Sequence, residues 1–154
     1  MKKHIKGFTL VEVLVVIAII SILMTILLPN LNTARLKGKD AKRKANLKQI
    51  QSALEMFKAD SVDKKYPVNS GTVVKTTGGV LSLLTTNYLK QFPADPADPL
   101  YHFYYDTPVG ANAGNAYTLC GYLEYTADPE KNNVCSAVPA GSCVADCNYG
   151  VSNP

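Results

Sequence analysis

The apolar residues of this 154-residue chain are concentrated near its N-terminus. From Phe8 to Leu28 nearly every residue is apolar, and Glu12 carries the only formal charge. As an α-helix these 21 residues extend about 31 Å, which is enough to cross a bilayer core of about 30 Å. The pattern therefore predicts a transmembrane helix half over residues 8–28.

The helical pattern continues beyond this run with a different periodicity. Leu47, Ile50, Leu54 and Phe57 recur at the spacing of one helical face, and Ala53 widens it. We expect this amphipathic helix half, residues 29–60, to bury that face against a C-terminal head. The basic run of residues 35–48 is expected on the opposite face, either solvated or paired with acidic heads of neighbouring subunits. A contact of this run with nucleic acid or acidic phospholipid is the less favoured alternative.

Proline and turn residues divide the rest of the chain. Pro29 removes one backbone hydrogen bond and clashes with the preceding turn, so a helix kink is predicted there. Within the head, residues 61–154, we predict a short helix over 81–89, strands over 101–105 and 117–125, and a turn-rich end. The predicted fold class is α+β, with a long N-terminal helix packed on a small antiparallel β-sheet.

The charges are distributed unevenly and do not favour nucleic acid as a partner. Three lysines precede the apolar run, a basic segment follows it, and the head from residue 49 onward is net acidic. Basic residues usually lie on the cytoplasmic side, so this asymmetry alone would place the head in the cytoplasm. A basic middle and an acidic head favour self-association instead.

The four cysteines indicate the opposite orientation. They are confined to the last third of the chain, in a loop-rich head, which is typical of two disulfides formed in an oxidising compartment. The alternative is a metal site, but no histidine lies near the cysteines. The last two cysteines are four residues apart, and no second pair has this spacing. Their pairing stays open; they are Cys120, Cys135, Cys143 and Cys147.

The junction between the charged leader and the apolar run is the most specific motif. Residues 7–12 read Gly-Phe-Thr-Leu-Val-Glu, whereas an ordinary secretory signal has a shorter apolar region and a small-residue cleavage site at its end. The motif resembles the class III signal of type IV pilins and type II secretion pseudopilins. The resemblance implies that a prepilin peptidase removes the leader, residues 1–7, by cutting between Gly7 and Phe8, and then N-methylates Phe8.

Glu12 is costly inside a bilayer and therefore needs a partner or a function. After cleavage Phe8 carries an α-ammonium, and pairing with Glu12 of another subunit would neutralise both charges and set the axial register of an assembly. Alternatively, Glu12 stabilises the N-terminus of its own helix through the helix dipole. The family resemblance favours assembly roles for Glu12 and Phe8.

The head resembles the major pseudopilin of type II secretion in part. The similarity covers residues 47–106 in patches, including Tyr66-Pro67, Asp95-Pro96 and the aromatic run 101–105. Those pseudopilins carry an acidic calcium loop near the end, whereas this chain is cysteine-rich there and its acidic residues are scattered. We expect a disulfide-bonded loop in place of a calcium site.

The sequence contains no set of residues typical of an enzyme or of a cofactor site. His4 lies in the leader, and His102 is expected to be a structural or surface residue in an aromatic strand. We therefore expect no catalytic residue, no cofactor and no metal.

The predicted function is that of a structural subunit of a type IV pilus or pilus-like filament. The alternatives are a type II secretion major pseudopilin and, less favoured, a membrane-anchored binding domain that does not polymerise. The resemblance implies as partners further copies of the chain, minor pilins, the prepilin peptidase and an inner-membrane assembly platform. It also implies a single-pass membrane protein with its head outside the cytoplasm, and then an extracellular or periplasmic filament.

Overall fold

The computed structural model describes residues 7–69, 74–75, 79–132, 135 and 147–153, with the side chains of residues 27–29, 74–75, 79–80 and 86 left aside. The chain forms two compact units, Met1–Leu36 and Lys37–Pro154. A 51-residue helix, α1, runs over Leu10–Asp60 and contributes to both units. The long helix predicted from the apolar run and the following stripe is therefore confirmed.

Among the residues of the first unit that the structure describes, no apolar side chain is buried. All described residues from 7 to 26 are exposed, and Phe8 and Leu10 are 81% and 80% accessible. The polar side chains of this stretch bond inside the helix: Ser21 donates to the carbonyl of Ile17 at 2.7 Å, and Thr25 to that of Ile22 at 2.7 Å. Such self-satisfied polar groups suit a helix in an apolar environment.

No single helix in the described part is both long and apolar enough to cross a bilayer. The stretches Leu10–Ile26 and Asn30–Asp60, which are separated by a bend, meet that length and composition requirement only when taken together. The side chain of Pro29 lies outside the described residues, so the kink assigned to Pro29 stays a prediction.

The second unit packs the C-terminal part of α1 against a four-stranded antiparallel sheet of order β1-β2-β3-β4. The strands are β1 (Val74–Lys75), β2 (Tyr104–Asp106), β3 (Thr118–Gly121) and β4 (Tyr149–Ser152). A 3-10 helix, Gly79–Leu83, leads into a single turn of helix, α2 (Leu84–Asn87), and a second 3-10 helix spans Gly110–Asn112. The predicted α+β architecture is confirmed.

The sequence-based boundaries differ from the observed ones, and the second predicted strand, residues 117–125, is observed only over Thr118–Gly121. The first predicted strand, residues 101–105, begins only at Tyr104, and the amide of Tyr101 donates to the carbonyl of Ala97 at 3.4 Å instead of pairing in the sheet. The Tyr101 ring stacks on that of Tyr122 at 4.8 Å between centroids. Strand β4 was missed, since its pairing with β3, for example Cys120 with Gly150, joins residues far apart in the sequence.

The core lies between α1 and one face of the sheet. Leu47, Ile50, Ala53 and Leu54 are fully buried, as the periodicity predicted, and Phe57 packs at the margin. These side chains share one core cluster with Tyr105 and Leu119 from the sheet and with Phe103, which immediately precedes β2. A Cβ atom on Gly121 would lie 3.3 Å from Phe103 and 3.4 Å from Leu47, so β3 approaches the helix more closely than most side chains would allow.

The opposite face of the sheet holds a second, smaller cluster of Tyr104, Cys120 and Cys135, with Cys147 against it. Cys120 and Cys135 form a disulfide with Cα atoms 5.8 Å apart. Cys147 is also disulfide-bonded, and Cys143 lies outside the described residues. The predicted disulfide character of the C-terminal region is confirmed for these three cysteines.

Candidate functional site

The N-terminal motif forms a capping box at the start of α1. The amide of Thr9 donates to Oε2 of Glu12 at 2.8 Å, and the Thr9 hydroxyl donates to the same oxygen at 2.7 Å. In return, the amide of Glu12 donates to the Thr9 hydroxyl at 3.3 Å. This reciprocal pattern satisfies donors that the first helical turn would otherwise leave unpaired. Glu12 therefore stabilises its own helix, which is the in-chain role weighed as an alternative above.

Thr9 was not singled out from the sequence, although the signal was present. A threonine followed three residues later by glutamate, immediately before an apolar run, is typical of a capping box. The predicted processing and assembly residues, Gly7, Phe8 and Glu12, are all exposed at this end of the first unit. They are accessible to a partner, while the capping box positions the carboxylate beside the Phe8–Thr9 peptide.

In the second unit, the buried guanidinium of Arg43 connects three parts of the chain. Its side chain is fully buried, and Nε and Nη2 bind the two carboxylate oxygens of Asp95 at 2.8 and 3.0 Å. Nη1 binds Asp40 at 2.7 Å, and Nη2 also binds Glu124. This fork joins α1 to the loop that contains Asp95 and to the segment after β3, and we call it the Arg43 hub.

The carboxylates of the hub also bind backbone groups. Asp40 accepts the amides of Glu124 at 3.0 Å and Tyr125 at 2.7 Å, and Asp95 accepts that of Ala97 at 2.8 Å. Burial alone would lower the pKa of Arg43, but hydrogen bonds to Asp95, Glu124 and Asp40 outweigh it and raise that pKa above its usual range. The cation is therefore held permanently charged and fully paired.

The hub corrects, at Arg43, the expectation that the basic run is solvated or pairs with other subunits. The expected exposure holds for the other residues of the run that the structure leaves accessible, which are Arg35, Lys37, Lys39, Lys42 and Lys48. Arg43 is buried and pairs within the chain. Arg43 lies four residues before Leu47, and Asp40 lies seven residues before it. Both spacings place the two charged residues on the same buried helical face. The helical periodicity therefore contained the signal, and the formal charges of these two residues concealed it.

Lys44 extends the in-chain pairing to the loop that contains Asp128 and Glu130. Its ammonium binds both carboxylate oxygens of Asp128 at 2.8 and 2.9 Å and lies 3.2 Å from Glu130. Burial lowers the pKa of Lys44, but these carboxylates outweigh it and raise the pKa overall. Within the described residues no cluster of three or more metal-ligating side chains occurs. A lysine ammonium thus occupies the acidic part of this loop.

Glu55 holds two tyrosine hydroxyls at the other end of the second unit. Tyr66 donates to its carboxylate oxygens at 2.9 and 3.0 Å, and Tyr117 donates at 3.4 Å. Burial and the adjacent Glu55 raise the pKa of Tyr66 to about 12. His102, the histidine expected to be structural, contacts Asp98 through Nδ1 at 3.0 Å.

Comparisons with known proteins agree with the N-terminal geometry. Residues 2–28 match the family described as the prokaryotic N-terminal methylation motif. The chain is 35% identical over 97 residues to the type II secretion system core protein G of Escherichia coli, covering 59% of this chain and 66% of that protein. It is 34% identical over 101 residues to core protein G of Aeromonas hydrophila, and this alignment covers 62% of this chain and 69% of that protein.

The chain belongs to the pilin and pseudopilin family. A further relative is the major component PilA4 of the type IV wide pilus of Thermus thermophilus, 39% identical over 72 residues, which cover 47% of this chain and 53% of that protein. The alignments with core protein G thus span about two thirds of the relatives' length. No solved structure matches the chain significantly.

We expect Arg43→Met to destabilise the second unit by about 3–5 kcal/mol, because it leaves three carboxylates around a site without their cation. Chemical denaturation followed by tyrosine fluorescence measures the change. The matched control is Lys42→Met, at the adjacent exposed position, which should change stability by about 0.5 kcal/mol or less. Equal stability of the two variants would contradict the structural role of the hub.

We expect the second unit to lose stability in alkali as the pH rises from about 10 to 12. The pKa of Tyr66 is higher in the folded than in the unfolded protein, so folding favours the protonated hydroxyl. The resulting contribution to the free energy of unfolding is complete below the unfolded-state pKa and is lost as the pH rises through the folded-state pKa. Tyrosinate absorbance should show one hydroxyl that ionises near pH 12 in the wild type and disappears from that range in Tyr66→Phe. Titration of every tyrosine near pH 10 would refute the assignment.

Proposed function

We propose that the chain is the precursor of a structural subunit of a type IV pilus or a similar filament. The observation that carries the proposal is the exposed motif at Gly7, Phe8 and Glu12, followed by an apolar helical stretch whose described side chains, up to residue 26, are all exposed. A helix that is apolar on all sides needs a lipid or protein environment. In this proposal the membrane supplies it before assembly, and other copies of the helix supply it in the filament.

In the proposed pathway a prepilin peptidase cuts between Gly7 and Phe8 and methylates Phe8. Removal of the leader deletes the lysines that hold the N-terminus at the cytoplasmic face, so the helix can leave the membrane axially. The head lies outside the cytoplasm, which the Cys120–Cys135 disulfide supports because such bonds persist in oxidising compartments. Minor pilins and an inner-membrane platform would assist assembly, and no catalytic role is proposed.

Glu12 would exchange one partner for another during assembly. In the single chain its carboxylate accepts from Thr9, and in the filament it would pair with the Phe8 ammonium of a neighbouring subunit. Two charges that meet only in one axial register would set the stagger of adjacent subunits. The capping box keeps the carboxylate satisfied until that neighbour arrives.

A secretion pseudopilus is the second candidate, and the length of the alignments favours it. The similarity to the core protein G relatives extends over about 100 residues, against 72 for the pilus component. The disulfide-bonded C-terminal region favours the pilus reading, as the resemblance implies. Both candidates share the processing, anchoring and polymerisation steps.

We expect Glu12→Ala to leave membrane insertion intact and to abolish or strongly reduce filament formation. Removing a charge makes the span more apolar, whereas the Phe8 ammonium would enter a packed core without its counter-charge. Breaking a buried pair costs about 3–5 kcal/mol, so subunit addition should weaken by more than about a hundredfold. The measurement compares the subunit in sheared filament and membrane fractions.

Two controls separate charge pairing from helix capping. Glu12→Gln keeps a capping side chain without charge and should give an intermediate filament yield. Thr9→Ala removes the cap, worth about 1 kcal/mol, but keeps the charge, so its effect should be smaller than that of Glu12→Ala. Equal filament yields for the wild type and Glu12→Ala at equal expression would favour an anchor that does not polymerise.

A further inference from the structure

The start of the second unit carries a patch of lysines and tyrosines that the filament role leaves unexplained. Helix α1 enters this unit at Lys37, whose ammonium lies 4.7 Å from the centroid of the Tyr125 ring. Lys39 lies 3.7 Å from Glu124, and the amides of Glu124 and Tyr125 are both held by Asp40. The segment after β3 therefore contacts the first turns of helix in this unit through Glu124 and Tyr125.

The positive charges of this end point outward, while its negative charges are engaged inside. Lys37, Lys39 and Lys42 are exposed, and 44% of the Lys39 side chain is accessible. Within the described residues Lys42 forms no ion pair. Asp40 and Asp95 are buried around Arg43, and Glu124 is largely covered. An approaching surface would therefore meet lysine ammonium groups.

Chain length limits how far this patch can lie from the membrane. Lys37 follows Leu28, the end of the apolar run, by nine residues, which is about 14 Å of helix. The polar region of a bilayer adds about 5–8 Å on each side of the hydrocarbon core, and electrostatic attraction reaches about 8–10 Å further at physiological salt. Lys37 and Lys39 are thus within reach of headgroups when residues 8–28 span the bilayer.

The tyrosines beside these lysines suit the same environment. Tyr125 and the stacked pair Tyr101 and Tyr122 are each half-buried, so rings and hydroxyls are both partly accessible. Tyrosine is enriched at membrane–water interfaces, because its ring enters the apolar boundary while its hydroxyl stays among polar groups. Lysine side chains likewise extend their stems along apolar surface and place the ammonium at headgroup level.

We propose that Lys37, Lys39 and Tyr125 form a docking patch for anionic phospholipid headgroups. The proposal rests on the membrane anchoring described under the proposed function and adds a second contact to it. Before assembly the patch holds the head against the outer surface of the membrane. Extraction of the subunit breaks this contact and frees the patch, so an anionic leaflet favours the stored form over the filament.

Hydrogen exchange of the full chain in vesicles tests the docking. The chain is reconstituted into phosphatidylcholine vesicles and into equal parts of phosphatidylcholine and phosphatidylglycerol, and exchange is followed by mass spectrometry at residues 122–127. The amides of Glu124 and Tyr125 exchange through local opening of the segment, which docking should suppress. We expect slower exchange on the anionic vesicles, by about fivefold for each engaged lysine, and loss of the difference at high salt.

The paired variant Lys37→Gln/Lys39→Gln should exchange equally on both kinds of vesicle. The matched control Lys64→Gln/Lys65→Gln, beyond the other end of α1, should retain the wild-type difference. Equal exchange of the wild type on both vesicles, or a lipid-dependent difference that survives in the paired variant, would overturn the docking patch. Protection that depends on protein density but not on lipid charge would also overturn it, because it indicates a second copy of the chain.

Flotation of the vesicles separates this proposal from the one on which it rests. The wild type and every variant should float with both kinds of vesicle, because residues 8–28 are unchanged. A chain that floats with neither kind lacks the membrane anchor, which would overturn the anchoring and the docking together. A wild-type chain that floats but exchanges equally on both kinds overturns the docking alone.

Discussion

The buried guanidinium of Arg43 connects the helix to the head, and the second unit depends on that connection. The strands of the sheet contain only two to four residues each, so the apolar face that they offer to α1 is small. Arg43 adds bidentate bonds to Asp95 and single bonds to Asp40 and Glu124, which reach segments the sheet does not order. Because each carboxylate also binds another group, the hub positions the loops around it.

The first part of α1 exposes apolar side chains, whereas the second unit buries charged ones. Thr9 bonds with Glu12, and the hydroxyls of Ser21 and Thr25 bond to backbone carbonyls of the same helix. The apolar side chains described over residues 8–26 are all exposed. Lipid and another such helix offer similar surroundings to this surface, so moving between them costs little hydrophobic free energy. In the proposed assembly, Glu12 and the Phe8 ammonium would decide which arrangement of neighbouring helices is stable.

Features that depend on a local residue pattern could be predicted from the sequence. Strand pairing between distant segments and buried ion pairs could not. The apolar run, the stripe through Leu47 and Ile50 and the strand Thr118–Gly121 followed from periodicity and turn residues. Strand β4 did not, because its Tyr-Gly-Val-Ser sequence resembles the turns around it and its partner is far away in the chain. Arg43 was placed on the solvent side because charged residues are rarely buried, although its helical position matched the core face.

The intact mass of the chain in filaments sheared from the source cells tests the central claim most directly. The account predicts the mass of residues 8–154 with one added methyl group and all four cysteines oxidised in disulfides, in filaments whose main component is this chain. A chain that keeps residues 1–7 in the membrane fraction and is absent from any filament would contradict it. So would cleavage after Leu28, because the helix that makes assembly possible would then be lost.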